Sequence, residues 1–253
     1  MGAKVITYIN EKGGVGKTSV CYNTAWELAN RGKKILMIDV DGQKANLTFF
    51  SGIQRLDSMK TIVDVLKGGI ALENAVVPVK ENLDIIPANM SVAEIGMDAK
   101  ISKFRSELKA VKDKYDYVFV DVNPSPGWGH YLSLSVSDYA VVIMLPDIAS
   151  LEGNSGILES ISEIQETTNT KLQIAGILFN RNDDRTNLSK QVREVAERMA
   201  VGVETKIFET KIPQAVSLSE CVATHIGITE YDPGSRPAEA IKAFAAELER
   251  GVV

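Results

Sequence analysis

The chain has 253 residues, 45% of them hydrophobic, which is enough apolar material to bury one large core. Its formal net charge of −5 argues against a nucleic-acid binder that acts through overall positive charge, so any basic surface must be local. The two cysteines lie far apart, without a neighbouring cysteine or histidine at metal-ligand spacing, which argues against a disulfide framework or an iron–sulfur cluster.

Strand-like and helical patterns alternate along the chain, which favours an α/β fold. We therefore expect a mainly parallel, twisted sheet with helices on both faces, in which ligands bind beyond the carboxyl ends of the strands. Apolar runs predict strands at Val5–Ile9, Ile35–Ile38, Leu83–Ile86, Tyr117–Val120, Ala140–Leu145 and Ile174–Phe179. Helical spacing predicts helices at Thr18–Asn30, Val92–Lys112, Leu151–Thr167 and Leu188–Met199.

Targeting and linker signals are absent from the sequence. No Pro/Gly/Ser-rich or charge-rich segment divides it, so we expect a single domain over residues 1–253. The sequence enters its first strand without a basic and then apolar segment, and no apolar run approaches the roughly 20 residues that span a bilayer. We therefore expect a cytoplasmic protein.

A glycine-rich loop follows the first predicted strand and leads into the first predicted helix. Such a loop presents backbone N–H groups and the positive end of a helix dipole to an anion. Lys17 can then reach the β- and γ-phosphates of a nucleotide, and the hydroxyl of Thr18 can ligate Mg²⁺. The candidate phosphate-binding residues are Gly13, Gly14, Val15, Gly16, Lys17, Thr18 and Ser19.

Carboxylates follow two of the predicted strands. Asp39 and Asp41 come directly after the second strand, where they are costly to bury unless they serve a site, cap a helix or form a turn. Asp121 ends the hydrophobic run Tyr117–Val120, a Walker B arrangement that sets a carboxylate to hold Mg²⁺. Such a run is weak evidence alone, and the phosphate loop upstream strengthens it.

The loop departs from the usual G-x-x-x-x-G-K-[ST] pattern, because Glu11 stands where its first glycine would fall. The pattern K-G-G-x-G-K-T resembles the deviant Walker A loop of the ParA/MinD ATPases, a class of P-loop NTPases. That resemblance implies that Lys12 reaches the nucleotide of a partner subunit. The segment from Asp39 resembles the family's D-x-D-P-Q, with Gly42 replacing proline. On that resemblance Asp41 positions the hydrolytic water, and Asp39 lies near Mg²⁺.

The second half of the chain extends the resemblance. Asn123–Gly127 resembles the family's D-x-P-P-S switch segment, with Asn123 for the first proline. Asn180 matches the asparagine that reads the adenine edge, although a plain turn asparagine is an alternative. Ile212–Glu220 matches I-P-x-x-x-x-L-S-E, which implies that Pro213 and Gln214 line the base pocket. With Tyr231–Arg236 matching Y-D-P-x-S-R, the similarity runs from about residue 4 to about residue 249.

The basic residues that would contact DNA are sparse. Gln214 and Ser217 stand where DNA-binding ParA proteins commonly carry arginines. The outer face of the helix Leu188–Met199 mixes basic residues with Glu194 and Glu197, so it also fits an ordinary solvated face. The candidate phosphate contacts, which could form a strip across a dimer, are Lys190, Arg193, Lys206, Lys211 and Arg236.

The resemblance implies a nucleotide-switched partition ATPase that uses ATP and Mg²⁺, without an amino-terminal helix-turn-helix domain. ATP would close a homodimer that binds DNA non-specifically and associates with the nucleoid, and a ParB-like partner would stimulate slow hydrolysis. The cargo would be a plasmid, chromosome or mobile element.

Three alternatives stay open. A ParA-type switch could position a protein cargo, such as conjugation or secretion machinery. A MinD-like membrane switch needs a basic amphipathic tail, whereas Ile241, Phe244, Ala245 and Leu248 favour packing against the core. A metabolic enzyme on the same scaffold is the third alternative. No role is assigned to His130 and His225.

Overall fold

The computed structural model describes residues 2–41, 46–54, 58–89, 91–92, 95, 101–124, 127–183 and 185–252. The strands are β1 Lys4–Ile9, β2 Ile35–Val40, β3 Val77–Lys80, β4 Leu83–Ile86, β5 Tyr117–Val122, β6 Tyr139–Met144, β7 Gln173–Asn182 and β8 Ile207–Pro213. The helices are α1 Lys17–Asn30, α2 Asn46–Phe50, α3 Ile62–Leu66, α4 Ile101–Val111, α5 Trp128–Val136, α6 Ile148–Thr167, α7 Asn187–Gly202, α8 Ser217–Ala223, α9 Ile228–Tyr231 and α10 Arg236–Gly251.

Within those ranges the strands form one eight-stranded sheet in the order β3-β4-β2-β5-β1-β6-β7-β8. Every neighbouring pair is parallel except β3 and β4, which are antiparallel. The predicted mainly parallel sheet with helices on both faces is therefore confirmed, and each of the six predicted strands is present. Because β1 lies between β5 and β6, the loop that follows β1 is at the centre of the sheet's carboxyl edge.

The two strands that were not predicted lie at the sheet edges. β3 is only four residues long, is half-exposed and contains Pro78, which an edge strand tolerates because it need not donate a hydrogen bond there. In β8 the apolar side chains are interrupted by Glu209, Thr210 and Lys211, so the strand lacks the continuous apolar run of a central one. Edge strands therefore carry the weaker sequence signal.

Helix ends differ from the predictions by a few residues. α6 begins at Ile148 rather than Leu151, because the side chain of Asp147 caps it by accepting a hydrogen bond from the backbone N–H of Ser150 at 2.7 Å. The predicted helix Val92–Lys112 coincides with α4 at its carboxyl end. Residues 93, 94 and 96–100 of that prediction lie outside the described residues.

Two apolar layers cover the sheet. In β1 the side chains of Val5 and Ile9 face one layer, formed with α3 to α7, while Ile6 and Tyr8 face the other, formed with α1 and α10. This alternation follows from the two-residue period of a strand that is buried on both faces. None of the helices in the described part of the chain is long and apolar enough to cross a membrane.

Candidate active site

The glycine-rich loop folds over the carboxyl end of β1 and enters α1 at Lys17. Gly14 and Gly16 have φ angles of 77° and 91°, in a backbone region that residues with a side chain rarely adopt. A side chain at position 16 would also collide with the amide of Asn180. Both the backbone conformation and the lack of space therefore require glycine at position 16. Because Gly16 directly precedes α1, the first N–H groups of the helix lie at the end of this loop.

Buried asparagines fix the shape of this loop. The Oδ1 atom of Asn10 accepts a hydrogen bond from the backbone N–H of Lys12 at 2.6 Å, and its Nδ2 atom donates to Oδ1 of Asn154 at 3.2 Å. On the other side, Nδ2 of Asn180 donates to the carbonyl of Val15 at 2.6 Å. The sequence prediction missed Asn10 and Asn154; the position of Asn10 between an apolar strand and the glycines was the available signal.

Lys17 lies buried among carboxylates at the start of α1. Burial lowers the pKa of its ammonium group, and the nearby carboxylates of Asp121 and Asp41 act in the opposite direction. Asp121 is paired in register with Asp39 of the neighbouring strand, so the ends of β2 and β5 lie side by side next to the loop. The structure therefore brings together the charged residues that three separate motifs predicted.

Asp121 is the least compensated group of the site. Its pKa is raised well above the usual value by burial and by the charge of Asp39, while Thr18 and Lys17 favour the ionised form. The side chain of Thr18 is close enough to favour the ionised carboxylate. Among the described residues, however, neither buried oxygen of Asp121 has a hydrogen-bond partner of normal geometry. A buried carboxylate in this position calls for a cation.

The donor set fits a magnesium ion that is shared with a nucleotide. Mg²⁺ takes oxygen ligands and is usually held by one or two protein groups together with phosphates and waters. The carboxylate of Asp121 and the hydroxyl of Thr18 supply such a pair. Across the described ranges, no group of three or more His, Cys, Asp or Glu side chains is arranged to hold a metal unaided.

Asp39 uses its carboxylate to organise the backbone. Its Oδ2 atom accepts hydrogen bonds from the backbone N–H and the hydroxyl of Thr48, at 2.8 and 2.7 Å, and its Oδ1 atom accepts from the backbone N–H of Asp41 at 3.0 Å. Burial raises the pKa of Asp39 to about 6, against the opposing effect of these bonds. Asp39 therefore anchors α2 and the turn to Asp41, and its place near a metal stays a prediction.

Lys12 contacts a carboxylate of its own chain. Its Nζ atom lies 3.0 and 3.1 Å from the two oxygens of Asp147, the residue that caps α6. Burial opposes ionisation of Asp147, but the bonds from Lys12 and Ser150 prevail and lower its pKa. Both side chains of the pair are 37% exposed, so the pair is weak enough to exchange. The sequence prediction did not include Asp147.

A cleft of about 540 Å³ opens beside the loop, a volume in the range of ligand sites. Lys17, Asp41, Asn180, Pro213 and Gln214 all line it. Contact of the last three with an adenine base stays a prediction. Arg181 also lines the cleft and was missed by the sequence prediction. Its φ angle of 51° accompanies an irregular register between β7 and β8, which no local sequence pattern indicates.

The candidate DNA contacts are spread over α7, β8 with its preceding turn, and α10. Lys190 and Arg236 are exposed, Lys211 is half-buried, and Nζ of Lys206 lies 5.5 Å from the ring centre of Phe208. Arg193 pairs with Glu197 at 3.0 Å on the same face of α7, which offsets its charge. Two further predicted switch features, Gly42 with Gln43 and residues 125–126, lie outside the described residues.

The fold and the loop together define a P-loop nucleotide-binding protein. A family model described as "AAA domain" matches residues 3–174. The sporulation initiation inhibitor protein Soj of Bacillus subtilis is 36% identical over 97% of this chain and 98% of its own length. The chromosome-partitioning ATPase Soj of Treponema pallidum is 31% identical over 97% of this chain and 96% of its own length.

Solved structures agree with these relatives. The cell division ATPase MinD of Pyrococcus furiosus superimposes with a TM-score of 0.80 at 25% identity, covering 99% of each chain. The chain belongs to the ParA/Soj-type partition ATPases of the ParA/MinD family, whose members are P-loop ATPases.

Proposed function

We propose that this protein hydrolyses ATP with Mg²⁺ to switch between a monomer and a sandwich homodimer, and that the dimer partitions a DNA cargo. The observation that carries the proposal is the buried group of Lys17, Asp41 and Asp121 around the glycine loop, beside a cleft of nucleotide size. Phosphoryl transfer depends mainly on positioning and on neutralising charge, and this arrangement supplies both.

Each group of the site has a separate role in the proposed reaction. The N–H groups of the loop bind the phosphates, and the ammonium group of Lys17 neutralises charge on the β- and γ-phosphates. Thr18 and Asp121 would hold the metal ion, which would supply positive charge to stabilise the negative phosphates. Asp41 orients the attacking water. Asn180, Pro213 and Gln214, which line the same cleft, contact the base.

Lys12 connects hydrolysis to dimerisation. In the monomer its ammonium group rests on Asp147, and leaving this half-exposed pair costs at most about 1 kcal/mol. A nucleotide phosphate presented by a second subunit is a stronger partner for a lysine than a single carboxylate. Because part of the active-site charge then arrives from the partner, intrinsic turnover is slow, and a ParB-like protein that stabilises the closed arrangement stimulates it.

The proposed track is non-specific DNA. The similarity to a chromosome-partitioning ATPase supports it, and dimerisation would double the sparse basic surface formed by Lys190, Lys206, Lys211 and Arg236. The cargo would be a plasmid, a chromosome or a mobile element. The protein would then act as a single domain in the cytoplasm, associated with the nucleoid.

A second candidate keeps the ATP switch and replaces DNA with a protein cargo, such as conjugation or secretion machinery. The pairing of Arg193 with Glu197, which offsets one predicted phosphate contact, favours it. A membrane switch through the last helix is disfavoured, because Ile241, Phe244 and Leu248 are buried in the core, as the sequence predicted.

The experiment that separates the two candidates uses the hydrolysis-deficient variant Asp41→Ala with ATP and Mg²⁺. DNA binding is measured with a labelled duplex of arbitrary sequence over a salt series, against the same protein with ADP. Tight binding with ATP alone that weakens steeply with salt supports the DNA track. A dimer that forms with ATP but binds no duplex contradicts it and favours a protein cargo. Lys17→Ala, which should bind no ATP, is the control.

A further inference from the structure

His130 is a buried histidine that the proposed chemistry does not use. It lies in the first turn of α5, the helix that follows the segment after Asp121, and α5 packs against β1 and β5. Its side chain is only slightly exposed, and a histidine placed so near a phosphate site requires a reason. The sequence alone gave none.

The reason is a hydrogen bond from His130 to the backbone segment that joins β5 to α5. Nε2 of His130 lies 2.8 Å from the carbonyl oxygen of Asn123. A carbonyl can only accept, so Nε2 carries the hydrogen and donates it. Burial lowers the pKa of His130, with a further contribution from the charge of Lys17 against the opposing effect of Asn123, so the imidazole is neutral at pH 7.

The carbonyl of Asn123 that His130 contacts lies between Asp121 and a residue that touches the phosphate loop. Asn123 follows Asp121 by two residues, and its own side-chain oxygen is buried without a hydrogen-bond partner among the described residues. The next residue, Pro124, lines the nucleotide cleft and packs beside Gly13 of the phosphate loop. The bond from His130 therefore fixes the backbone that carries Asp121 on one side and touches the phosphate loop on the other.

We propose that His130 is a positioning residue for ATP hydrolysis, which holds the segment from Asp121 to Pro124 against the phosphate loop through its N–H bond to the carbonyl of Asn123. This inference rests on the proposed ATPase function. The bond orients the backbone segment that carries Asp121, the proposed metal ligand, whereas the proposed base contacts Asn180, Pro213 and Gln214 lie on or directly after other strands. Loss of the bond should accordingly affect turnover more than nucleotide binding.

The test compares His130→Leu, His130→Gln and His130→Asn in the full chain. Gln places an amide N–H near the position of Nε2, Asn is too short to reach Asn123, and Leu has no donor. We expect His130→Leu and His130→Asn to lower kcat by about tenfold or more, because misplacement by about 1 Å is enough for such losses. Affinity for a fluorescent ATP analogue should change less than about threefold, and His130→Gln should recover most of kcat.

Tyr131→Phe is the matched control. It alters the next residue of α5 and removes a hydrogen bond to Thr168 at the surface, and should turn over ATP as the wild-type protein does. Equal turnover of wild type and His130→Leu would overturn the inference, as would a His130→Gln variant no better than His130→Asn. Absence of turnover in the wild type would instead contradict the proposed function. If His130→Leu fails to fold, the comparison of Gln with Asn decides alone.

Discussion

At the scale of single residues, the site requires glycine at positions where a side chain would not fit, as well as the charged side chains that act. Gly16 combines a left-handed backbone with the close approach of Asn180, whose amide holds the loop through the carbonyl of Val15. The loop carries few apolar contacts of its own, apart from the buried side chain of Val15. Its shape therefore depends on this glycine and on the buried asparagines around it.

We predict that Gly16→Ala abolishes ATP binding. The left-handed conformation costs an alanine about 1–2 kcal/mol, and the collision with Asn180 must displace the bond to Val15 as well. The measurement is the binding of a fluorescent ATP analogue, together with urea unfolding. Gly153→Ala, in the interior of α6 with open space around it, is the control, and should raise the free energy of unfolding by about 0.5–1 kcal/mol. Normal ATP binding by Gly16→Ala would contradict this view of the loop.

At the scale of secondary-structure elements, helix ends place the charged residues. Asp147 both caps α6 and holds Lys12, so a single carboxylate joins the start of this helix to the phosphate loop. In a similar way, the carboxylate of Asp39 in β2 accepts hydrogen bonds from Thr48 and so joins the end of β2 to α2. The acidic groups around the site therefore set the position of elements in addition to any contact with a ligand.

We predict that Asp147→Asn strengthens ATP-dependent dimerisation. Asparagine still caps a helix but no longer holds Lys12 by charge, so the lysine is released for the partner's nucleotide. An exposed pair is worth at most about 1 kcal/mol, and a homodimer contains two such pairs, so the gain in the dimer dissociation constant is limited to about thirtyfold. Sedimentation velocity with ATP and Mg²⁺ measures it, in an Asp41→Ala background that prevents hydrolysis. Weaker dimerisation than in the parent would show that the pair supports the dimer instead.

The sequence was sufficient for the central strands and for the residues in motifs. Strands that are buried on both faces leave continuous apolar runs, and the loop and acidic residues follow directly at their ends. It was insufficient where a position depends on distant contacts: Asp147 meets Lys12 across the chain, His130 meets a carbonyl seven residues away, and Arg181 reaches the cleft through an irregular strand pairing. None of these leaves a local periodicity.

At the scale of the whole molecule, the edges of the sheet do not offer a route to association. β3 is short and contains Pro78 and Lys80, features that discourage pairing with another strand. At the opposite edge, the carboxylate of Glu247 in α10 accepts hydrogen bonds from the backbone N–H groups of Glu209 and Thr210 in β8, at 2.7 and 3.0 Å. Pairing through the sheet edges is therefore disfavoured, and the proposed contact of Lys12 with a partner's nucleotide predicts an interface at the nucleotide cleft.

We predict that the protein is a monomer or a weak dimer without ATP, and that Asp41→Ala with ATP and Mg²⁺ accumulates a dimer. In the proposed mechanism the γ-phosphate would draw Lys12 across the interface, so ADP should not support the dimer. Lys12→Ala in the same background should lose the dimer while retaining nucleotide, because the proposed mechanism assigns Lys12 to the partner's site and Lys17 to the site of its own chain. Sedimentation velocity and analogue binding measured on the same samples separate these effects. A tight dimer in the absence of nucleotide would contradict the mechanism, and a stable dimer of the Lys12→Ala variant would remove Lys12 from the interface.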